Sequence, residues 1–267
     1  MPENLGNLKG LKKLSLSGTT IKVLPSSIEG LTAPTLLTLN DCKNLVCLPS
    51  TICSLNLLEC LDLFECSNCD NLLENLCNLK GLKKLYLTGT TINELPSSTE
   101  DLTAFTFLTL NECKNLVCLR STICCFKLLE CLDLSRSSNC ENLPEKLGNF
   151  NGLKYLYFSG TSMKELPSLI EGLTVLTFLT LKDCKNLMCL PSTICSLKLL
   201  ECLDLSRCSN CDNLPENLGN FKGLKMLFLS GITIKELRSS IEGLTTLTFL
   251  ILEDCKNLEC LLAPFVV

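Results

Sequence analysis

Leucines recur along the whole chain as short alternating triplets, Leu-x-Leu, each followed by a polar bend and then a looser apolar run. The stretch that opens at Leu176 shows the pattern plainly. Leu179 and Leu181 alternate with Phe178, Thr180 and Lys182, and Cys184 stands at the bend. A period of two puts both leucines on one side and the residues between them on the other, so each triplet predicts a short strand with one face inward. The returning run, Leu187, Leu190, Ile194 and Leu197, has spacings of 3, 4 and 3 residues. That spacing predicts a loose helical or 3₁₀ segment.

The pattern is itself copied. The segment opening at Leu8 returns at Leu79, Phe150 and Phe221, a period of 71 residues, and each unit divides into stretches of 23, 24 and 24. Counting their opening positions from Leu11, Pro34 and Leu58 gives eleven repeats. One repeat is too small to bury its own leucines, so a core forms only when copies stack. The frame resembles that of a leucine-rich repeat solenoid. Such an α/β repeat fold implies a horseshoe with a concave parallel β-sheet and a convex side of irregular, 3₁₀ or short helical segments. With strands about 4.8 Å apart, the sheet should run an arc of roughly 50 Å. Nothing divides residues 1–267 into linkers or low-complexity segments, so one repeat domain is expected. The chain opens in mid-repeat and closes on "LLAPFVV" without a polar capping segment, so it is uncapped at both ends, which predicts a fragment flanked by other domains in a longer gene product, or ends that pair with something.

Composition narrows the function. A hydrophobic content of 46% with 5% aromatics and no Trp suits columns of leucine. The net charge is −4 with the signs interspersed, so neither a nucleic-acid partner nor an anionic membrane surface is expected. No apolar run reaches about 18 residues and no basic-apolar leader is present, so neither a membrane span nor a signal peptide is predicted. No asparagine lies in an Asn-x-Ser/Thr sequon, and the 21 cysteines follow the repeat frame. Reduced, intracellular thiols are the reading that follows.

Histidine is absent, which removes the commonest general base and metal ligand. No Gly-Lys dipeptide occurs, so no phosphate-binding loop of that type exists. Ser and Asp sit at repeat-fixed positions without a partner base, and no enzymatic activity, cofactor or small-molecule substrate is expected. The Cys-Ser-Asn-Cys pairs, Cys66/Cys69 and Cys208/Cys211, have the spacing of zinc or redox motifs. However, Cys66 and Cys208 stand in the bend column with Cys42, Cys113, Cys184 and Cys255, while Leu45 and Leu187 hold the column of Cys69 and Cys211. In the middle copy Ser137 precedes Cys140 and breaks the pair. A buried structural column is the simpler account, with a cysteine-based metal or redox protein as the remote alternative.

The strand positions turned away from the leucines carry the candidate site. Phe107, Tyr155, Phe178 and Phe249 stand just before a triplet, and Tyr86, Tyr157 and Phe228 stand inside one. Half of the chain's 11 Phe and 3 Tyr thus fall in two columns, mostly in the C-terminal half. Ser15, Tyr86, Tyr157 and Phe228 are equivalent yet differ, which copying alone does not produce. Aromatics supply contact area at low entropy cost, and Asp133, Arg136, Asp204 and Arg207 beside them would supply orientation, so the pattern predicts a concave protein-binding face.

The Leu-Pro-x-x-Ile steps, Leu24–Pro25–Ile28 and Leu166–Pro167–Ile170, and the bends Leu39–Cys42–Leu45 and Leu181–Cys184–Leu187 make the match more specific. They resemble the leucine-rich repeat region of plant intracellular immune receptors of the TIR–nucleotide-binding–leucine-rich-repeat class, tobacco mosaic virus resistance protein-like. The resemblance implies recognition and autoinhibition in defence signalling, in the cytoplasm or the nucleus. The implied partners are a pathogen effector, a guarded host protein, or the receptor domains missing from this sequence. A free-standing adaptor or decoy is the alternative. Several frame positions depart from the pattern: Pro34, Leu73, Thr99, Arg120 and Arg238. Pro34 is expected to loosen its rung by removing a backbone donor where a strand begins.

Overall fold

Each leucine triplet supplies one three-residue strand. The computed structural model describes residues 4–66, 76, 79–95, 102–117, 119, 123, 126–139, 143, 147–237 and 239–260. Its strands are β1 (Lys13–Ser15), β2 (Leu36–Thr38), β3 (Cys60–Asp62), β4 (Lys84–Tyr86), β5 (Phe107–Thr109) and β6 (Cys131–Asp133), then β7 (Tyr155–Tyr157), β8 (Phe178–Thr180), β9 (Cys202–Asp204), β10 (Met226–Phe228) and β11 (Phe249–Ile251). They lie side by side in chain order as one 11-stranded parallel sheet. The register places leucine opposite leucine throughout, from Leu14 against Leu37 to Leu227 against Leu250. A one-residue slip would turn every leucine out of the core, so the pattern and the register enforce each other.

Behind the sheet the leucine columns stack into one core. Leu37, Leu61, Leu108, Leu132, Leu156, Leu179, Leu203 and Leu227 are all at most 1% exposed. Phe105, Phe150, Phe158 and Phe221 fill leucine positions and are just as buried. Each such side chain contributes about 2 kcal/mol of hydrophobic burial. The last rung is thinner, with Leu250 36% exposed.

On the convex side, Pro25, Pro49, Pro167 and Pro191 hold φ between −62° and −67° at the starts of 3₁₀ turns Ser26–Gly30, Ser50–Ser54, Ser168–Gly172 and Ser192–Ser196. The proline ring presets that φ and has no N–H to leave unpaired. Ile28, Ile52, Ile170 and Ile194 then drop into the core, fully buried. This is the predicted 3₁₀ return. Successive turns also meet backbone to backbone: a Cβ on Gly172 would come 2.5 Å from the Gly148 carbonyl oxygen.

The bend after each strand is a hydrogen-bonded ladder. The thiols of Cys42, Cys66, Cys113, Cys184 and Cys208 donate at 3.0–3.1 Å to carbonyls of Leu16, Leu39, Leu87, Phe158 and Leu181, each one rung back. Ser137 makes the same bond to Leu110 at 2.6 Å. The column therefore satisfies buried backbone acceptors, as the repeat position predicts. Just before it the chain takes a left-handed step. Gly18, Gly89, Gly160 and Gly231 hold φ of 67–71° there, while Asp41, Glu65, Glu112, Arg136, Asp183, Arg207 and Asp254 hold 54–62°.

Pro34 leaves its strand paired, with the bond at its entry, Leu36 to Lys12, longer than the 2.9–3.1 Å of its counterparts. The residue at its position in other rungs donates to a carbonyl three residues back, as Leu58 does to Leu55 at 2.9 Å. Pro34 thus removes a turn bond ahead of the strand, while Thr35 and Leu36 still donate to Lys12 at 2.8 and 3.3 Å and β2 pairs on both sides. The other departures, Leu73, Thr99, Arg120 and Arg238, lie outside the described residues, as do Cys69 and Cys140. Among the described residues no helix is long and apolar enough to cross a membrane.

Candidate protein-interaction face

The first and third residues of every strand project from the sheet on the side away from the leucines, because side chains alternate. In the parallel register Tyr157 faces Thr180, and Tyr155 faces Phe178. Thr180 is short, so Tyr157 leans diagonally onto Phe178, with ring centroids 5.1 Å apart and planes inclined at 37°. One unit earlier Tyr86 does the same with Phe107, at 5.0 Å and 38°. Such offset pairs add about 0.5–1.5 kcal/mol beyond burial, and they hold the rings in place before any partner arrives.

The sequence-predicted residues separate into three groups. Tyr155, Tyr157 and Phe178 form one contiguous patch on β7–β8, and Phe228 and Phe249 form another on β10–β11. Tyr155 and Phe249 are the most open, at 42% and 56% exposure. Tyr86 and Phe107 make a separate, half-buried pair on β4–β5. Met226, paired with Phe249, and Ile251, paired with Phe228, occupy the same two columns and extend the β10–β11 patch.

Facing outward does not mean being exposed. Thr109, Thr180 and Cys202 are only 6%, 7% and 2% exposed because their larger neighbours cover them. Burial, and then the adjacent Asp133, pushes the Cys131 thiol up to about 12, while burial and Asp204 push Cys202 up to about 11. These thiols stay protonated and act as small apolar residues. The Tyr157 phenol is also raised, by burial first and then by Cys131 and Asp133, so it remains a neutral hydrogen-bond donor.

Asp133 and Asp204 have local duties. In each, Oδ1 accepts the backbone N–H two residues on, from Ser135 and Ser206, at 2.8 Å. This closes the strand end in an Asx turn. Asp133 Oδ2 also accepts from Thr109 and Asn111 at 3.5 Å.

Arg136 and Arg207 stand at the left-handed bend, past the strand ends, and reach back one rung. Arg136 Nη1 meets Glu112 at 2.8 Å, and Arg207 grips Asp183 with two bonds of 2.7 and 2.6 Å. The Arg207 hydrogen bond holds the Asp183 carboxyl below its ordinary value despite the opposing effect of burial. Both arginines therefore form a rim to the aromatic face and are not part of its floor.

The cysteine pair has a structural account too. Cys208 spends its proton on Leu181, and Cys211 is fully buried with its thiol raised to about 11 by burial. Among the described residues, no group of three or more His, Cys, Asp or Glu stands ready to hold a metal ion.

A solenoid of eleven stacked strand-and-turn repeats, its bends laddered by thiols, defines the class, and the comparisons with known proteins agree. A family model described as a leucine-rich repeat region matches residues 1–94 and 114–212, and the chain belongs to that family. It is 34% identical over 182 residues to a probable disease resistance protein of Arabidopsis thaliana, covering 67% of this chain and 10% of that protein. It is 38% identical over 104 residues to TMV resistance protein N of Nicotiana glutinosa, covering 39% of this chain and 9% of that protein. The chain thus spans about a tenth of the length of these relatives, and its resemblance to the repeat region of plant disease resistance proteins stands. Among solved structures, the Toll–Spatzle complex of Drosophila contains a chain that matches with a TM-score of 0.68 at 20% identity, covering 92% of this chain and 39% of that chain. That likeness concerns the fold alone.

Proposed function

We propose that this chain is a non-catalytic protein-binding module, the recognition and autoinhibition segment of a plant intracellular immune receptor working in the cytoplasm. One observation carries the reading: the aromatic patches on β7–β8 and β10–β11, part open and part locked by the Tyr157–Phe178 contact. Rigid aromatics on a concave surface are the usual anchors of protein interfaces. The partner is a protein: a pathogen effector, a guarded host protein, or the rest of the receptor. The named relatives support the defence setting. In this reading residues 1–267 are a single repeat domain, and the relatives' greater length supports its acting with domains supplied by a larger receptor.

Hydrogen exchange tests this with a nucleotide-binding region of the same receptor class as the probe. Protection gathered on β7–β11 supports the reading. Protection confined to the 3₁₀ turns contradicts it, and none at all removes the rest of the receptor from the three partners.

A further inference from the structure

Once per 71-residue unit the left-handed bend is a glycine, and the absent side chain leaves a notch beside the end of the sheet. The notches next to Gly89 and Gly160 have volumes of about 510 and 620 Å³. They are one unit apart, so the same backbone positions frame both while the sequence changes their charge. The Gly89 notch is close to balance, with Lys43 and Lys114 in its lining and Arg136 held on Glu112, against Glu65 and Glu112. In the Gly160 notch, Arg136 stands where Glu65 stands one unit earlier, and Lys182 replaces Asn111. Arg136, Lys182, Lys185 and Arg207 now surround a single lining carboxylate, Asp183. The Gly231 notch returns to balance, since Glu253 and Asp254 join Asp204 against Lys182, Arg207 and Lys256.

Two of the four cations are already committed, Arg136 to Glu112 and Arg207 to Asp183. Among the described residues, Lys182 and Lys185 make no side-chain hydrogen bond or ion pair, although both bear on Asp183 electrostatically. Two ammonium groups with no direct hydrogen-bond partner, lining one notch with Ser159, Thr161 and Ser162, suit a carboxylate. Lys182 and Arg207 also line the adjoining cavity that contains Phe228 and Ile251. A chain whose acidic side chain sits in the notch would therefore continue onto the aromatic face.

We propose that the Gly160 notch is a recognition subsite for the carboxylates of an acidic segment of a protein partner. It rests on the protein-binding reading and specifies the partner's chemistry. Like-signed notches in all three described units would have pointed to general solvation; a cationic notch flanked by two near-balanced equivalents points to selectivity.

The test uses the full chain and two labelled probes, a short Glu-rich peptide and its Gln-rich counterpart, followed by fluorescence anisotropy. The Glu peptide should bind, weaken with added salt, and lose about tenfold or more in affinity when Lys182→Glu is combined with Lys185→Glu. Glu65→Arg with Asn111→Lys should create a second site at Gly89, seen as an extra peptide bound per chain. An unchanged melting curve confirms that each variant is folded. Equal binding of the Gln peptide, or full affinity in the folded double-lysine variant, would overturn the proposal, and so would displacement of the peptide by equimolar inorganic phosphate. Tyr157→Ala with Phe178→Ala separates the two ideas. It should leave the Glu peptide bound, whatever it does to capture of a folded partner.

Discussion

Tyr157 rests on Phe178 of the next strand, ring centroids 5.1 Å apart, and their register partners are Thr180 and Tyr155. The contact exists because a short threonine sits where a bulky residue would force the tyrosine upright. Large residues on this face thus stand over small ones, and the same arrangement recurs at Tyr86 and Phe107.

Stability should depend on the rung. Leu179 is fully buried between rungs, whereas Leu250 on the last described strand is 36% exposed. Leu179→Ala should cost about 3 kcal/mol or more, and Leu250→Ala well under half as much. Denaturant melts of the two variants measure the difference, and equal losses would speak against nearest-neighbour stacking.

Thiol reactivity should follow the ladder. Cys189 is exposed, while Cys184 and Cys208 are buried, donate to carbonyls, and have thiols raised chiefly by burial. Under reducing preparation, an aromatic disulfide reagent at neutral pH should label Cys189 first and leave Cys184 and Cys208 until the protein is denatured. All 21 cysteines should then titrate. Disulfides that survive reductant, or zinc bound in stoichiometric amount, would contradict this account.

The Asp183–Arg207 pair predicts a pH effect of defined sign. Asp183 has its carboxyl lowered from 3.8, first by the Arg207 hydrogen bond. Its contribution to stability is therefore present above the ordinary carboxylate value and is lost as pH falls through the lowered one. Arg207→Gln should raise the Asp183 titration midpoint in a carboxyl NMR titration and lower stability slightly at neutral pH. Below the titration range the variant and the parent should converge. An unmoved midpoint would show that the pair does not form in solution.

Much of this fold can be read from the residues because one constraint, leucine alternation inside a copied frame, sets strand, face and register together. Phe178 and Tyr157 were placed by that alternation alone. What it left open was height above the sheet: Cys202 and Thr180 point outward yet are buried, since exposure depends on the neighbours' bulk. Pro34 is a related case. The spacing marks it as the head of a repeat, but the bond it lacks belongs to the preceding turn. Asp133 and Arg207 carry local bonds that only the bend geometry reveals. Gly89 and Gly160 recur at the 71-residue period and the exchange of Glu65 for Arg136 is legible there, but that these positions line one notch appears only in the folded chain.

The central claim is that partner recognition lies on the concave C-terminal half. Calorimetry of Tyr155→Ala, Tyr157→Ala, Phe178→Ala, Phe228→Ala and Phe249→Ala against a bound protein partner, beside convex Ser192→Ala and Ser196→Ala, tests it most directly. The account predicts losses of about 2 kcal/mol at the strongest aromatic positions and within about 0.5 kcal/mol at the two serines. Equal losses on both faces, or losses confined to the serine side, would contradict it.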